Sequence, residues 1–290
     1  MSLSLKTALK LGRVSNVPTV WTNVAAGMAL CRTEFRPGLF IAVALAMSAQ
    51  YIGGMYLNDA FDERWDRANR PDRPIVMGQV SASTVYAIGF SLLALGALGI
   101  AALAICGIVS WICVVAACAL AGLIVYYDVH HKGNALGPFI MGLCRVGVYL
   151  LAGLSTGNPT TDLYVGAVLL LGHLIGLTYI AKHETRGKLL RFWPILFFAP
   201  SLLWGIFLPI PWLAVGALYF AYTLGAGIAP ALGWGTQGKA NPGKAVPSLI
   251  AGISLLDAMF VSESRNYAAV AFCLAAFALT RFWQRHVPGT

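Results

Sequence analysis

Ten long apolar runs divide the chain, and they constrain its fold more than any other feature. They fall near 14–32, 38–60, 83–103, 107–127, 136–155, 163–181, 192–208, 211–230, 247–262 and 266–283. An α-helix needs about 20 residues to cross a hydrocarbon core of about 30 Å. Inside that core every backbone N–H and C=O must find a partner within the protein, which a helix supplies from its own segment. The runs therefore predict an all-α, polytopic membrane helix bundle. Nine to ten transmembrane helices are expected, because the last two runs hold only 16 and 18 residues and Pro194, Pro200, Pro209, Pro211 and Pro230 interrupt the third quarter. No connection exceeds 22 residues, so residues 1–290 read as a single membrane domain.

Charge supports the same reading. Of the residues, 58% are hydrophobic and 11% charged, against roughly 25% charged in ordinary soluble domains. The net charge of +9 does not point to nucleic acid, since the basic residues sit in short loops between apolar runs. With ten crossings, sixteen Lys and Arg residues fall on one side and only Arg32, Arg36 and Arg265 on the other, leaving Arg145 inside a run. The positive-inside rule then places both termini in the cytoplasm, in an inner or plasma membrane. Lys6, Lys10 and Arg13 precede the first run without a small-residue cleavage site, so no removable signal peptide is expected. The six cysteines lie singly in or beside apolar runs and read as packed, reduced thiols.

Against this background, "NDAFDERWDRANRPDRP" at 58–74 gathers nine charges in seventeen residues. Asn58, Asp62 and Asp66 stand four apart, which on a helix puts them on one face with about 6 Å of rise between neighbours. Two carboxylates and an amide oxygen suit Mg²⁺, which keeps several waters and is commonly completed by substrate phosphates. Arg70 and Arg73 follow in a proline-stiffened loop, and guanidinium groups fork onto phosphate oxygens. The competing reading is a solvated loop whose charges pair with one another.

The same residues carry a resemblance. "NDAFDERWD" followed by "NRPDRPI" resembles the NxxxDxxxD motif of the UbiA superfamily of intramembrane prenyltransferases. The likeness extends to "RVSNVPTVWTNVAAG" in the first run, to "YYDVHHKGNALG" after the fourth and to "LLDA" at 255–258. It implies a helical bundle, usually of nine crossings, around a central cavity open to the cytoplasmic leaflet. It also implies transfer of a prenyl group from a polyprenyl diphosphate to a lipophilic or aromatic acceptor. Asn58, Asp62 and Asp66 would then be the Mg²⁺ and diphosphate residues, with Asp62, Asp66 and Lys132 at the catalytic centre. Arg70, Arg73 and Tyr127 would complete the diphosphate site. The family's second acidic motif is replaced by "YIAKHETRGK" at 179–188, a basic pattern similar to the EboC-like branch. Glu184 is its one candidate metal ligand. Lys182 and Arg186 lie four apart and either replace a second metal with fixed positive charge or anchor the chain at the interface.

Inside the membrane, Arg145 either lines the cavity near the acceptor or pairs with Asp257 or a carbonyl, since neither ion can face lipid cheaply. His173 reads as a hydrogen-bonded packing residue, and His130 and His131 as interfacial. Trp21, Tyr51, Tyr56, Tyr127, Tyr149 and Tyr179 either wall a cavity or anchor the bundle. The expected activity is Mg²⁺-dependent prenyl transfer to an electron-rich, aromatic acceptor. Two alternatives share the features: a membrane terpene cyclase, and a non-catalytic carrier in a biosynthetic complex.

Overall fold

The structure is a computed structural model that describes residues 3–184, 193–234, 240–287 and 289. Among the described residues there are thirteen α-helices and no strand. They are α1 (Leu5–Leu11), α2 (Val17–Ala29), α3 (Pro37–Phe61), α4 (Glu63–Asn69), α5 (Ala82–Ile105), α6 (Trp111–His130), α7 (Gly137–Ser155) and α8 (Thr161–Glu184). Then follow α9 (Ala199–Ile206), α10 (Leu213–Tyr222), α11 (Ala229–Leu232), α12 (Pro242–Glu263) and α13 (Tyr267–Trp283). Polar caps set several starts: Ser4, Ser81, Ser110, Asn241 and Asn266 each accept a backbone N–H from the first turn that follows, satisfying a donor that the helix leaves open.

Among the described residues, seven helices are long and apolar enough to cross a membrane, and two more apolar helices, Trp193–Ile206 and Tyr267–Trp283, are shorter. The protein is a multi-pass membrane protein. Its first run departs from expectation, being α-helical only over Val17–Ala29. The chain turns at Arg13, whose φ of 43° is left-handed, and α1 folds back so that Thr7 Oγ1 donates to Gln79 Oε1 at 3.1 Å. The proline-rich third quarter is also irregular. Trp193–Phe198 is a 3₁₀ turn ahead of α9, and Thr223–Ile228 is a π turn joining α10 to α11. Pro230 has no N–H to give Ala226 and its ring crowds that carbonyl, so the helix widens there.

Helices α2 and α7 stand between two packed groups, α3, α5 and α6 on one side and α8, α10, α12 and α13 on the other. Helix α12 is buried along almost its whole length, whereas α5 and α6 turn Leu95, Leu98, Ile112 and Val115 outward, as lipid contact requires. Lipid offers helices no hydrophobic reason to associate, so close packing has to hold them. At the α3–α5 crossing a Cβ on Gly53 would stand 2.7 Å from the Gly89 carbonyl oxygen, and one on Gly96 would stand 2.6 Å from that of Ala46. That crossing fixes the helix that carries the acidic motif.

Candidate active site

The acidic stretch sits where α3 gives way to α4. Asp62 lies between the two helices, yet its N–H donates to Asn58 O at 3.0 Å and the Asp66 N–H donates to Asp62 O at 2.8 Å. Helical bonding therefore continues through the junction and keeps Asn58, Asp62 and Asp66 on one face, as their spacing predicts. Helix α4 stops at Asn69 because Arg70 precedes Pro71 and is pushed to an extended φ of −141°. The loop beyond returns Arg73 to the acids, with Nη1 3.6 Å from Asp59 Oδ1 and Nε 4.0 Å from Asp66 Oδ2. From the other side, α6 ends at His130 and Gly133, at a φ of 74°, lets the chain reverse into α7. Lys132 Nζ thereby lies 2.8 Å from Asp62 Oδ2 and 3.9 Å from the centre of the Trp65 ring, while His131 Nε2 lies 3.4 Å from Asp62 Oδ1.

These groups ring the mouth of a cavity of about 500 Å³. Asn58, Asp62, Asp66, Arg70, Arg73, Tyr127, Lys132 and Lys182 all line it, so eight of the residues expected at the site meet there. Its far wall is apolar, from Met141, Leu177, Val246 and Ile250. Lys182 approaches from α8 and donates to Asn134 O at 2.6 Å. Glu184 ends α8 with its side chain outside the described residues, and Arg186 lies outside them entirely. Tyr51 and Tyr127 line cavities. Of the other aromatics, Trp21 bonds Ser48, Tyr56 bonds Ala8, Tyr149 bonds Asp257 and Tyr179 bonds Ala135.

Four site residues escape the sequence reading. Arg13 looks like one more topological charge, yet its Nη2 donates to Asn58 Oδ1 at 3.2 Å and to Asp59 Oδ1 at 3.1 Å. Asp59 falls outside the four-residue spacing. His131 faces Asp62 and stacks on Tyr127 with ring centres 4.9 Å apart, which corrects its assignment to the interface. Asp128 accepts from Asn58 Nδ2 at 3.1 Å. An acid near the end of an apolar run, four residues before Lys132, was the available signal for it.

The electrostatics divide the two motif carboxylates. Burial pushes the Asp62 carboxyl up, but bonds and charge from His131 and Lys132 outweigh it and hold the group below the usual carboxylate range. Burial raises the Asp66 carboxyl, and despite Arg73 the charges of Asp62 and Asp59 help keep it raised. A bound cation would reverse the second effect. The donor set is oxygen-only, and among the described residues no group of three or more His, Cys, Asp or Glu is ready to hold a metal. Such a set fits a hard divalent ion that needs phosphate oxygens and water to complete it.

Deeper in the membrane, Arg145 Nη1 donates to Asn23 Oδ1 at 3.0 Å and Nη2 to Thr19 Oγ1 at 2.9 Å. Asn23 in turn donates to Asp257 at 2.8 Å. Arg145 and Asp257 are thus joined through an amide rather than directly. His173 is a packing residue, bonded to Tyr219 at 2.9 Å and to Leu249 O at 3.0 Å.

No family model matches the chain. Curated relatives do. A digeranylgeranylglyceryl phosphate synthase of Methanopyrus kandleri is 27% identical over 172 residues, covering 59% of this chain and 61% of the relative. One of Ignicoccus hospitalis is 39% identical over 94 residues, covering 32% and 30%. The chain therefore spans about a third to three-fifths of these relatives' length. Among solved structures, a UbiA homologue from Archaeoglobus fulgidus bound to DMAPP and Mg²⁺ superposes with a TM-score of 0.63 at 17% identity, over 91% of this chain and 99% of that one. The chain has the fold of this UbiA homologue. A structure of digeranylgeranylglyceryl phosphate synthase shares the UbiA fold with it at a TM-score of 0.61 and 20% identity, over 90% of this chain and 98% of that one.

Proposed function

We propose that this protein is a Mg²⁺-dependent membrane prenyltransferase that takes a prenyl group from a polyprenyl diphosphate and passes it to a lipophilic acceptor. The observation that carries the reading is the cavity's polarity: carboxylates, an amide and five Lys and Arg side chains line one part of it, apolar side chains the rest. A prenyl diphosphate has the same division. The relatives named digeranylgeranylglyceryl phosphate synthase, and the neighbour bound to DMAPP and Mg²⁺, support it.

Asn58, Asp62 and Asp66 would hold the metal, which supplies positive charge to the diphosphate as it leaves. Arg13, Arg70, Arg73 and Lys132 would bind the phosphate oxygens and stabilise the same charge, the main electrostatic contribution a protein makes to such a step. Arg13 Nε is buried without a partner, a donor suited to a phosphate oxygen. Lys132 would exchange Asp62 for phosphate as the donor enters. Leu177, Val246 and Ile250 would shield the allylic carbon from water. Lys182 adds charge opposite Asp62. The sixteen-to-three basic asymmetry supports a chamber open to the cytoplasm of an inner or plasma membrane, and the basic stretch after α8 supports placement beside the EboC-like branch.

The test is mass spectrometry of products from the purified protein in lipid nanodiscs, with Mg²⁺, a panel of prenyl diphosphates and a lipid extract as acceptor source. Diphosphate release and a prenylated product, both lost with EDTA, are expected. A cyclised hydrocarbon would select the terpene cyclase instead. Donor neither bound nor consumed would leave the carrier.

A further inference from the structure

At the end of the bundle opposite the acidic chamber, a cavity of about 550 Å³ opens where the α2–α3 and α12–α13 connections meet. Helix α3 joins the two ends, and its 25 residues put about 37 Å between them. Arg32, Arg36 and Arg265 all line this cavity. They are the three basic residues that the ten-crossing topology leaves on that face, and they converge on one place. Arg32 and Arg265 each follow a helix end with a φ of 54°, where glycine or asparagine is the ordinary choice because an L side chain is strained there. A helix C-terminus does favour a cation, but Arg36 is the N-cap of α3, at the end whose partial charge is positive. Helix dipoles therefore do not account for all three.

Two acids, Glu34 and Glu263, line the same cavity. Arg32 is engaged by Asp162, and Glu263 accepts the Trp204 indole N–H. Among the described residues, however, neither glutamate forms an ion pair with Arg36 or Arg265. Opposite charges that share a cavity without closing on one another leave room for a group between them. A simple anion would face two carboxylates there, and a simple cation three guanidinium groups. A zwitterion meets both. The wall behind the charges is apolar, with Met28, Phe35 and Leu39, and Phe35 is 51% exposed. A fully polar solute gains little from that wall, whereas an amphiphile at the membrane surface buries carbon against it.

We propose that this cavity seats one phosphatidylethanolamine of the adjacent leaflet, with its phosphodiester on Arg36 and Arg265 and its primary ammonium on Glu34 and Glu263. Guanidinium groups fork onto phosphate oxygens, and the start of α3 adds N–H groups that no side chain caps. The ammonium brings three N–H donors to the carboxylates. A quaternary choline has none, and a phosphatidylglycerol headgroup has no cation at all. The bound lipid ties the α2–α3 connection to the α12–α13 connection. It thereby braces α2 and α12, the helices that carry Asn23 and Asp257, at their shared end. The proposal is independent of the prenyl-transfer reading and involves no residue of the acidic chamber.

The experiment is native mass spectrometry of the full chain in detergent micelles, titrated with phosphatidylethanolamine, phosphatidylcholine or phosphatidylglycerol of matched acyl chains. Binding of phosphatidylethanolamine about 5–10-fold tighter than of either other lipid is expected. Arg265→Gly should abolish that preference with a melting temperature no lower, since glycine relieves the left-handed backbone. If Arg265 served only to end α12, lipid selectivity would survive the change, and that result overturns the proposal. Glu34→Gln should hand the preference to phosphatidylglycerol, a reversal that poor folding does not produce, so the test stands should Arg265→Gly fold badly. Equal binding of the three lipids to the unaltered protein overturns the proposal and leaves the arginines as solvated charges. Tightest binding of phosphatidylglycerol overturns it in favour of a plain anionic-lipid patch. O-phosphoethanolamine, the soluble headgroup, should bind at least about 10-fold more weakly than the lipid for want of the apolar contact; equal affinity would make the cavity a small-molecule site instead.

Discussion

Arginine and aspartate come together at the end of the bundle and again at its middle, with opposite outcomes. In the middle, both oxygens of Asp257 are taken, one by Thr22 at 2.6 Å and Asn23 at 2.8 Å, the other by Tyr149 at 3.1 Å. Three helices, α2, α7 and α12, are tied by it. At the end of the bundle, Asp59 and Asp62 face surplus cations, Asp66 has only a distant Arg73, and atoms of Arg13 and Asp128 have no partner. A buried charge whose atoms are all partnered does structural work, because any visitor would have to break bonds first. One surrounded by spare donors and acceptors can take a ligand without that loss.

The sharpest break of this contrast is Asp62→Asn, which keeps the shape and removes the charge. Donor affinity at ordinary Mg²⁺ is expected to fall at least about 100-fold, or about 2.7 kcal/mol, with the fold intact by thermal melting; isothermal titration showing unchanged affinity would sink the metal assignment. Asp257→Ala should do the reverse, costing about 2–4 kcal/mol of stability while leaving the donor affinity of the surviving folded protein unaltered. If donor binding vanished there without a change in melting, the mid-membrane cluster would be functional. Arg13→Gly relieves the left-handed backbone at that position but deletes three donors, so about 10–100-fold weaker donor binding is expected in a protein no less folded. The smallest effect is Lys182→Met. Donor binding should weaken about 2–5-fold and rise more steeply with added Mg²⁺, since added metal can supply the positive charge that Lys182 gave. A flat Mg²⁺ response in that titration would return Lys182 to an interfacial anchor.

How much of this was legible before the structure depends on the range of the interaction. The apolar runs gave the helices, because a membrane enforces helix on any run of that length. The Asn58, Asp62 and Asp66 face was legible because four-residue spacing is local, and it survived a helix junction that nothing in the run announced. Arg13 was not legible. Its partners lie 45 and 46 residues away, and a basic residue before a first crossing has an ordinary topological explanation. His131 failed for a related reason: adjacency to His130 argues against a shared metal but says nothing of an aspartate on another helix. Arg145 and Asp257 were legible as a pair needing partners, whereas the intervening Asn23 was not, because an asparagine carries no charge to draw the eye.

The burial of α12 has a consequence for how the molecule is made. An aspartate at the centre of a lone segment opposes insertion by about 2.5–3.5 kcal/mol, so α12 is a reluctant entrant on its own. Thr22, Asn23 and Tyr149 belong to α2 and α7, which leave the ribosome earlier. By the time Asp257 reaches the bilayer its three donors are already in place. Chain order thus solves a delivery problem: the helix that no lipid would welcome arrives after the walls that receive it.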